Sequence, residues 1–319
     1  MLQDASLEQR LVRVVTIRRA AVDTLRFDLE AADRRPLLPF TPGAHIDVHA
    51  PSGQVRQYSL CGDARDASRY SIAVKREAGG RGGSRSMHDT VEEGSALGIV
   101  GPRNHFPLAA DASHSLFIAG GIGITPVYSM IRSLDAGARS WELHYCARSE
   151  AHAAFHAELA GLGHERVFPY FSEQPLLDVR TLLATVRDDT HVYCCGPASL
   201  MSAVKETSAH WPAGRVHFEW FSAPEQAPSQ NHPFEVELRR SGRILAVPSD
   251  RSILQVVREH GIDVSSCCEE GVCGTCETRV LGGECDHRDL LLSDHEHAEG
   301  ASMMICVSRA RSPRIVLDL

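Results

Sequence analysis

The sequence Ser-Cys-Cys-Glu-Glu-Gly-Val-Cys-Gly-Thr-Cys occupies residues 266–276, and a solitary Cys306 follows thirty residues after it. Three cysteines of the stretch, Cys268, Cys273 and Cys276, have the spacing C-x4-C-x2-C. This spacing, with a distant fourth cysteine, is typical of a [2Fe–2S] cluster bound by four thiolates. Glycines within the stretch let the backbone approach a buried cluster and donate N–H groups to its sulfides. The stretch therefore predicts a one-electron carrier.

A structural zinc site is the main alternative for these cysteines. Such sites usually contain two close pairs of ligands. Here there is one C-x2-C pair, one further cysteine upstream and one far downstream, and this pattern favours the iron–sulfur cluster. Cys267 adjoins the first predicted ligand, but a ligand at that position would give the spacing C-x5-C. We therefore interpret Cys267 as a spectator.

The composition is that of an ordinary globular chain. Its 319 residues suffice for two or three domains, 43% of them are hydrophobic, and the formal net charge is −8. This charge argues against a nucleic-acid partner. The first residues lack the pattern of a signal peptide, and no stretch approaches the ~18 apolar residues of a membrane span. We therefore expect a cytoplasmic protein without a membrane partner, whose ten cysteines suit a reducing compartment.

The hydrophobic pattern divides the chain into blocks. Short alternating runs from about 8 to 105 predict an antiparallel β-barrel. Strand and helix patterns alternate from about 113 to 222, with helices expected over 151–161 and 198–209, and this alternation indicates a parallel α/β sheet. The last block begins with a hairpin pattern and a helix expected over 252–260. The predicted division is 1–108, 109–225, a polar linker at 226–232, and 233–319.

Two strand-end turns in the second block suit a nucleotide. Gly-Gly-Ile-Gly-Ile-Thr-Pro at 120–126 lies between a buried strand and a helix, and Cys-Gly-Pro at 195–197 ends another strand. Glycines there let the backbone approach a phosphate at the N-terminus of a helix. The carboxyl ends of parallel strands are where open α/β sheets bind ligands. The sequence therefore predicts a nucleotide site at this edge, although 195–197 read alone is also a simple strand end.

These turns, together with Arg-Gln-Tyr-Ser at 56–59, resemble the ferredoxin-NADP reductase superfamily. With the cysteine motif added at the C-terminal end, the whole chain resembles the phthalate dioxygenase reductase family. That family includes vanillate demethylase reductases and reductase modules fused to some cytochromes P450. The resemblance implies a multidomain protein with an antiparallel β-barrel flavin domain, a parallel α/β nicotinamide domain and a C-terminal α+β domain, a β-grasp of the plant-type ferredoxin kind.

The resemblance also implies a flavin site in the first block. Arg56 would pair with the flavin phosphate, Tyr58 would pack beside the isoalloxazine ring, and Ser59 would hydrogen-bond near N5. FMN is expected rather than FAD, because contacts for an adenine half are not apparent. The expected flavin-binding residues are Arg56, Gln57, Tyr58, Ser59, Ala73, Val74, Lys75, Arg81, Gly82, Gly83 and Ser84.

For the nicotinamide cofactor, the resemblance implies that Thr125 and Cys195 flank the ring and, with Ser59, act as catalytic residues. Phe221, or alternatively Trp220, would cover the flavin and move aside for the cofactor. NADH is expected rather than NADPH. The expected nucleotide-binding residues are Gly121, Gly123, Thr125, Arg148, Cys195, Gly196, Pro197 and Phe221.

The implied function is electron transfer from NADH through FMN to a [2Fe–2S] cluster held by Cys268, Cys273, Cys276 and Cys306. The expected acceptor is a Rieske-type oxygenase acting on an aromatic or other small substrate. A cytochrome P450 as acceptor and an iron–sulfur redox sensor without turnover are the alternatives. A monomer is expected.

Overall fold

The computed structural model describes residues 8–173, 175–224 and 231–319. The chain divides into two compact units, one ending at Glu219 and the other beginning at Trp220. Most of the predicted linker at 226–232 lies outside the described residues, as does the predicted domain end at 225, so those boundaries stay predictions. Among the helices of the described residues, none combines the length and apolar character needed to cross a membrane.

The first unit opens with six antiparallel strands and one helix. Their bounds are β1 (Arg10–Ala21), β2 (Thr24–Ala31), β3 (His45–His49), β4 (Val55–Ser59), β5 (Tyr70–Lys75), α1 (Gly83–Thr90) and β6 (Ala96–Arg103). The strand order is β4-β3-β6-β1-β2-β5. Leu60, directly after β4, pairs with Ile72 of β5, so the two outer strands of the sheet meet. The predicted antiparallel barrel is confirmed, and side chains such as Phe27 and Ile46 fill its interior.

A parallel sheet completes the first unit. Its elements are β7 (His114–Gly120), α2 (Ile124–Ala136), β8 (Ser140–Ala147), α3 (His156–Gly163), β9 (Val167–Phe171), α4 (Val179–Leu183), β10 (Thr190–Cys195), α5 (Ala198–Thr207) and β11 (Val216–Glu219). The strand order is β11-β10-β7-β8-β9, with every pairing parallel. The chain runs outward from β7 through β8 to β9 and then returns to the other side of β7. The order of strands therefore reverses between β7 and β10, which is where such sheets bind ligands.

One predicted helix of this sheet is shorter than expected. The pattern predicts a helix over 151–161, but α3 begins at His156 and only a single 3-10 turn covers 150–152. Phe155 adopts a left-handed conformation with φ of 61°, which an ongoing right-handed helix does not permit. Its buried ring stacks on Tyr128 of α2 at 4.4 Å between centroids. Tertiary packing of this aromatic side chain therefore sets the start of the helix.

The barrel and the parallel sheet share apolar contacts. One cluster of buried side chains contains Cys61, Ala73 and Phe106 from the barrel together with Phe117 and Tyr193 from the sheet. The rings of Phe106 and Tyr193 meet edge to face at 5.7 Å. The Ser129 hydroxyl of α2 also donates to the carbonyl oxygen of Gly62. The two sheets are therefore held in a fixed relation by a common core.

The second unit is a mixed sheet with a helix packed on it. Its elements are β12 (Phe234–Leu238), β13 (Arg243–Val247), α6 (Ile253–Glu259), β14 (Glu277–Gly282), β15 (Cys285–Asp286), α7 (Asp294–Glu299), β16 (Ser302–Met304), β17 (Arg309–Ala310) and β18 (Arg314–Leu317). The order β13-β12-β18-β14-β16 includes one parallel pair, β12 with β18. Ser252 and Gln255 form a capping box at the start of α6, whose Ile253 and Val257 are fully buried. The predicted α+β fold of the β-grasp type is confirmed.

Candidate redox centre

Two glycine-rich turns meet at the point where the parallel sheet reverses its strand order. β7 and β10 are neighbours, and they end at Gly120 and Cys195. A Cβ atom on Gly123 would lie 2.3 Å from the carbonyl oxygen of Cys195, and one on Gly196 would lie 2.9 Å from Cα of Gly120. Only glycine permits backbones to approach this closely. This contact lies at the start of α2, where main-chain N–H groups are available to bind a nucleotide phosphate.

Side chains from the barrel and from the sheet converge beside these turns. Cys195 of β10 pairs in register with Glu219, the last residue of β11. The hydroxyl of Ser59, which ends β4, donates a hydrogen bond of 3.4 Å to Oε2 of Glu219. Thr125 is buried at the start of α2 and donates to the carbonyl oxygen of Ile122. The predicted catalytic residues therefore all lie at the carboxyl edge of the sheet, where Glu219 links the barrel to β11.

Glu219 is the residue of this group to which the sequence pattern assigns no role. Burial raises the pKa of the Glu219 carboxyl to about 8, and the Ser59 hydrogen bond only partly opposes the shift. Burial, with Glu219 as a second cause, also raises the pKa of the Cys195 thiol. A carboxyl group that changes charge near neutral pH can hold or release a proton there. The sequence feature that could have pointed to Glu219 is its position, because it is an acidic residue at the end of a parallel strand.

The predicted flavin strand and loop are in contact. A Cβ atom on Gly83 would lie 2.9 Å from Cγ of Arg56, so the arginine side chain of β4 packs against the start of α1. Gly82 adopts a left-handed conformation with φ of 96°, and no side chain of the described residues caps the helix that follows it. An arginine beside uncapped N–H groups forms a cradle for a phosphate. The residues present therefore fit the phosphate of a flavin.

The other predicted flavin residues lie around this cradle. Ala73 and Val74 are buried within β5, and the Lys75 ammonium pairs with Glu77 at 2.6 Å. Ser84 in α1 accepts a hydrogen bond from the Glu77 amide. Gln57 and Tyr58 are half-buried on β4, whereas Arg81 is exposed before α1.

The predicted cluster loop bends sharply between α6 and β14. Glu269, Gly271 and Gly274 have positive φ values of 61°, 73° and 75°. A Cβ atom on Gly271 would lie 2.5 Å from the side chain of Val307, which follows Cys306. The Glu269 carboxylate accepts hydrogen bonds from Arg258 of α6 and from Ser266. The approach of Gly271 to Val307 holds the loop against the segment that carries the fourth predicted ligand, and Glu269 fastens the loop to α6.

The four predicted ligand thiols lie next to one another. Cys268 interacts with Cys273 and Cys306, and Cys276 interacts with Cys306. These thiol contacts, the one from Cys273 first, lower the pKa of Cys268, and contact with Cys268 raises the pKa of Cys306. The Glu270 amide donates to Sγ of Cys268 at 3.3 Å. Four converging thiols with amide donors are the donor set that a [2Fe–2S] cluster requires.

Two further predicted nucleotide residues are Arg148 and Phe221. Arg148 directly follows β8, and its carbonyl oxygen accepts a hydrogen bond from the Ser172 amide after β9. Phe221 belongs to the second unit, where its side chain is 41% exposed, whereas Trp220 is buried. Arg148 is therefore at the carboxyl edge of the same parallel sheet as the glycine turns.

Three family models match the chain in the order of its blocks. The oxidoreductase FAD-binding domain matches residues 11–107, the oxidoreductase NAD-binding domain matches 117–206, and the 2Fe-2S iron-sulfur cluster binding domain matches 236–311. The phenoxybenzoate dioxygenase subunit beta of Ectopseudomonas oleovorans is 45% identical over 310 residues, which cover 97% of each chain. The solved structure of a phthalate dioxygenase reductase is 42% identical, covers 98% of each chain and superposes with a TM-score of 0.73.

The chain belongs to the phthalate dioxygenase reductase family. Like other members of this family, it is an electron-transfer oxidoreductase with domains for a flavin, for NAD and for a [2Fe–2S] cluster. It also resembles part of an intact type IV self-sufficient cytochrome P450 monooxygenase, with 42% identity and a TM-score of 0.91. That match covers 98% of this chain and 41% of the other chain.

Proposed function

We propose that this reductase uses NADH and FMN to supply single electrons, through its [2Fe–2S] cluster, to a Rieske-type oxygenase. The convergence of Cys268, Cys273, Cys276 and Cys306 in a chain that also carries the glycine turns of β7 and β10 supports this proposal most strongly. Full-length similarity to a protein named as a dioxygenase subunit favours an oxygenase as the acceptor. When bound, the flavin accepts electrons in pairs from NADH and releases them singly, and the cluster carries them singly.

At the flavin end, the protein residues bind and orient the cofactor and exclude water from it. The Arg56 guanidinium and the amides at the start of α1 would hold the phosphate, and this contact fixes where the ring system lies relative to β4. The Ser59 hydroxyl, held by Glu219, would be a donor near N5. Thr125 and Cys195 are buried on the side of the glycine turns, where they would limit how the nicotinamide ring can enter.

The phosphate cradle is the feature of the described residues that favours FMN over FAD. One arginine and the uncapped N-terminus of α1 complement a terminal, doubly charged phosphate, which FMN has and FAD lacks. Extraction of the bound flavin followed by chromatography tests this assignment directly. FMN is the expected product, and recovery of FAD would show that the assignment is wrong.

At the cluster end, the residues around the thiols set the loop conformation. Arg258 bridges α6 to Glu269 at 3.0 Å and also donates to the carbonyl oxygen of Val264. The thiols of Cys273 and Cys276 are buried, whereas Cys268 is half-buried and nearer to solvent. An edge of this kind is suited to passing an electron to another protein. We propose that the four thiols, and not Cys267, are the ligands.

A cytochrome P450 is the second candidate acceptor, and the similarity to the reductase part of a self-sufficient P450 favours it. The experiment is NADH-driven turnover of purified reductase with three acceptors: cytochrome c, a Rieske oxygenase and a P450. We expect cytochrome c reduction and faster reduction of the Rieske protein than of the P450. Preferential reduction of the P450 would reverse the choice of partner. Absence of turnover with all three, in a fully loaded sample, would support a sensor and contradict the proposal.

We also propose that the protein is cytoplasmic. No disulfide bond forms among the described residues, which suits a reducing compartment such as the cytoplasm. We propose a monomer, which sedimentation of the loaded protein would test.

A further inference from the structure

A second group of metal-binding side chains lies in the C-terminal unit, separate from the four thiols. His287 and Asp289 follow β15, and His297 lies in α7. One ligand atom from each of the three residues lies within 4.8 Å of the others. Nε2 of His297 is 3.2 Å from Oδ2 of Asp289, and Nδ1 of His287 is 3.6 Å from Oδ1 of the same carboxylate. The two imidazole rings stack with 4.4 Å between their centroids.

The Asp289 carboxylate is completely buried. Among the ion pairs of the described residues, its partners are the two imidazoles. Arg288 and Arg311 lie close by, but both pair with Asp286. The Leu292 amide and the Ser308 hydroxyl donate to Asp289, and these are neutral groups. Because a buried carboxylate is stable only when a cation or strong donors compensate it, this site favours a further positive charge.

His287 provides the second, independent observation. Its side chain is 8% exposed, and both ring nitrogens are buried without a hydrogen-bond partner among the described residues. Buried polar nitrogens nearly always have a partner, so a hydrogen-bonding group or a metal ion is expected beside this ring. A neutral imidazole offers the lone pair that a metal ion requires.

We propose that His287, Asp289 and His297 form a binding site for a divalent transition-metal cation, with Zn²⁺ as the best match. Two imidazole nitrogens and one carboxylate oxygen are donors that Zn²⁺ prefers, whereas Ca²⁺ and Mg²⁺ prefer oxygen alone. Ligands at about 2.0–2.2 Å from a tetrahedral zinc ion are about 3.3 Å apart. The observed separations of 3.2 and 3.6 Å are close to that value. His297 is 26% exposed, which leaves a solvent-facing position for a water ligand.

This site adjoins the predicted cluster loop through Asp289. The Leu290 amide donates to the carbonyl oxygen of Gly271, and a Cβ atom on Gly271 would lie 3.1 Å from Cα of Asp289. Ser308, which donates to Asp289, is two residues from Cys306. A metal ion on Asp289 would therefore restrain the two segments that carry the cluster thiols, and we expect it to slow loss of the cluster.

The test is a Zn²⁺ titration of the fully loaded protein by calorimetry, with iron content measured before and after to show that the cluster is intact. We expect one equivalent of Zn²⁺ to bind. His297→Gln should weaken binding by at least about tenfold. His295→Gln, a histidine on the same helix whose side chain is 80% exposed, is the matched control and should bind as the parent protein does.

Two results would overturn the proposal. One is the absence of saturable Zn²⁺ binding to the parent protein, and the other is binding that His297→Gln leaves unchanged. Because His297 lies on a short, partly exposed helix, its variant should fold, and the visible spectrum of the cluster confirms this in the same sample. A slower loss of visible absorbance on warming with Zn²⁺, seen in the parent protein and in His295→Gln but not in His297→Gln, would support the link to the cluster loop.

Discussion

The two ends of the proposed electron path are constructed differently. At the cluster end, three of the four thiols come from one nine-residue segment, Cys268–Cys276, and the loop is shaped by its own glycines. At the nucleotide end, Ser59, Thr125, Cys195 and Glu219 come from four separate elements, which only the closed barrel and the sheet order bring together. A site contained in one loop is visible in the sequence, whereas a site assembled by topology is visible only in the fold.

The sharpest way to separate the two ends is Cys306→Ser. Loss of one thiolate should abolish electron transfer to cytochrome c, because a [2Fe–2S] cluster needs four strong ligands. NADH-dependent bleaching of the flavin should be unaffected, because its site lies in the first unit. Stopped-flow spectra at the flavin and cluster wavelengths measure both steps. Cys285→Ser, a half-buried cysteine outside the ligand set, is the control, and equal loss in both variants would contradict the assignment.

A second variant, Arg56→Ala, affects only the nucleotide end. Removing a charge-assisted bond to a phosphate costs about 1.5–3 kcal/mol, so flavin affinity should fall about 10–100-fold. Flavin fluorescence released on dilution measures this affinity. The control is Arg13→Ala, an exposed arginine of β1. Unchanged flavin content in Arg56→Ala would show that the strand and α1 do not form the phosphate cradle.

The contact between the two glycine turns is tested by Gly123→Ala. Its new methyl group would overlap the Cys195 carbonyl, and overpacking of this kind costs about 1–3 kcal/mol. We expect the KM for NADH to rise about tenfold while flavin content stays constant. Gly137→Ala at the end of α2 meets only ordinary contacts, the nearest at 3.5 Å, and should behave as the parent protein does. Equal KM values for the two variants would contradict the role of the turn.

The smallest expected effect concerns Glu219→Gln. The folded protein raises the pKa of this acid from 4.5 to about 8, so the folded state retains a proton that the unfolded chain releases over that interval. Its contribution to stability is therefore present below about pH 4.5 and is lost as the pH rises through about 8. Because Glu219 as a whole residue is only half-buried, we expect on the order of 1 kcal/mol, about 2–4 °C in Tm.

Melting curves followed by flavin fluorescence at low and high pH measure this difference. Glu219→Gln should lose less stability than the parent protein when the pH rises. Glu206→Gln, on the exposed face of α5, serves as the control and should retain the parent slope. Identical slopes in all three proteins would show that Glu219 does not titrate in the proposed range.

Sequence patterns predicted the parts of the molecule whose information is local. Strands such as β2 and β7 follow from alternating or continuous apolar runs, and the thiol contacts follow from one motif and Cys306. Glu219 was not predictable, because its burial depends on Ser59, 160 positions away in the chain. The start of α3 was missed for a similar reason, since Phe155 leaves the helical conformation to pack on Tyr128. His297 carries no motif, and its proximity to Asp289 depends on the capped turn before α7.

The apolar cluster shared by Phe106, Phe117 and Tyr193 bears on how such reductases are combined with other proteins. A recombination point placed between the barrel and the parallel sheet would expose that cluster on both halves, and neither half would be a stable gene product. Among the described residues, the buried apolar clusters on the two sides of Glu219 each lie within one unit. Gene fusions that join such a reductase to a new oxygenase should therefore keep the barrel and the parallel sheet together. The iron–sulfur domain can be exchanged separately.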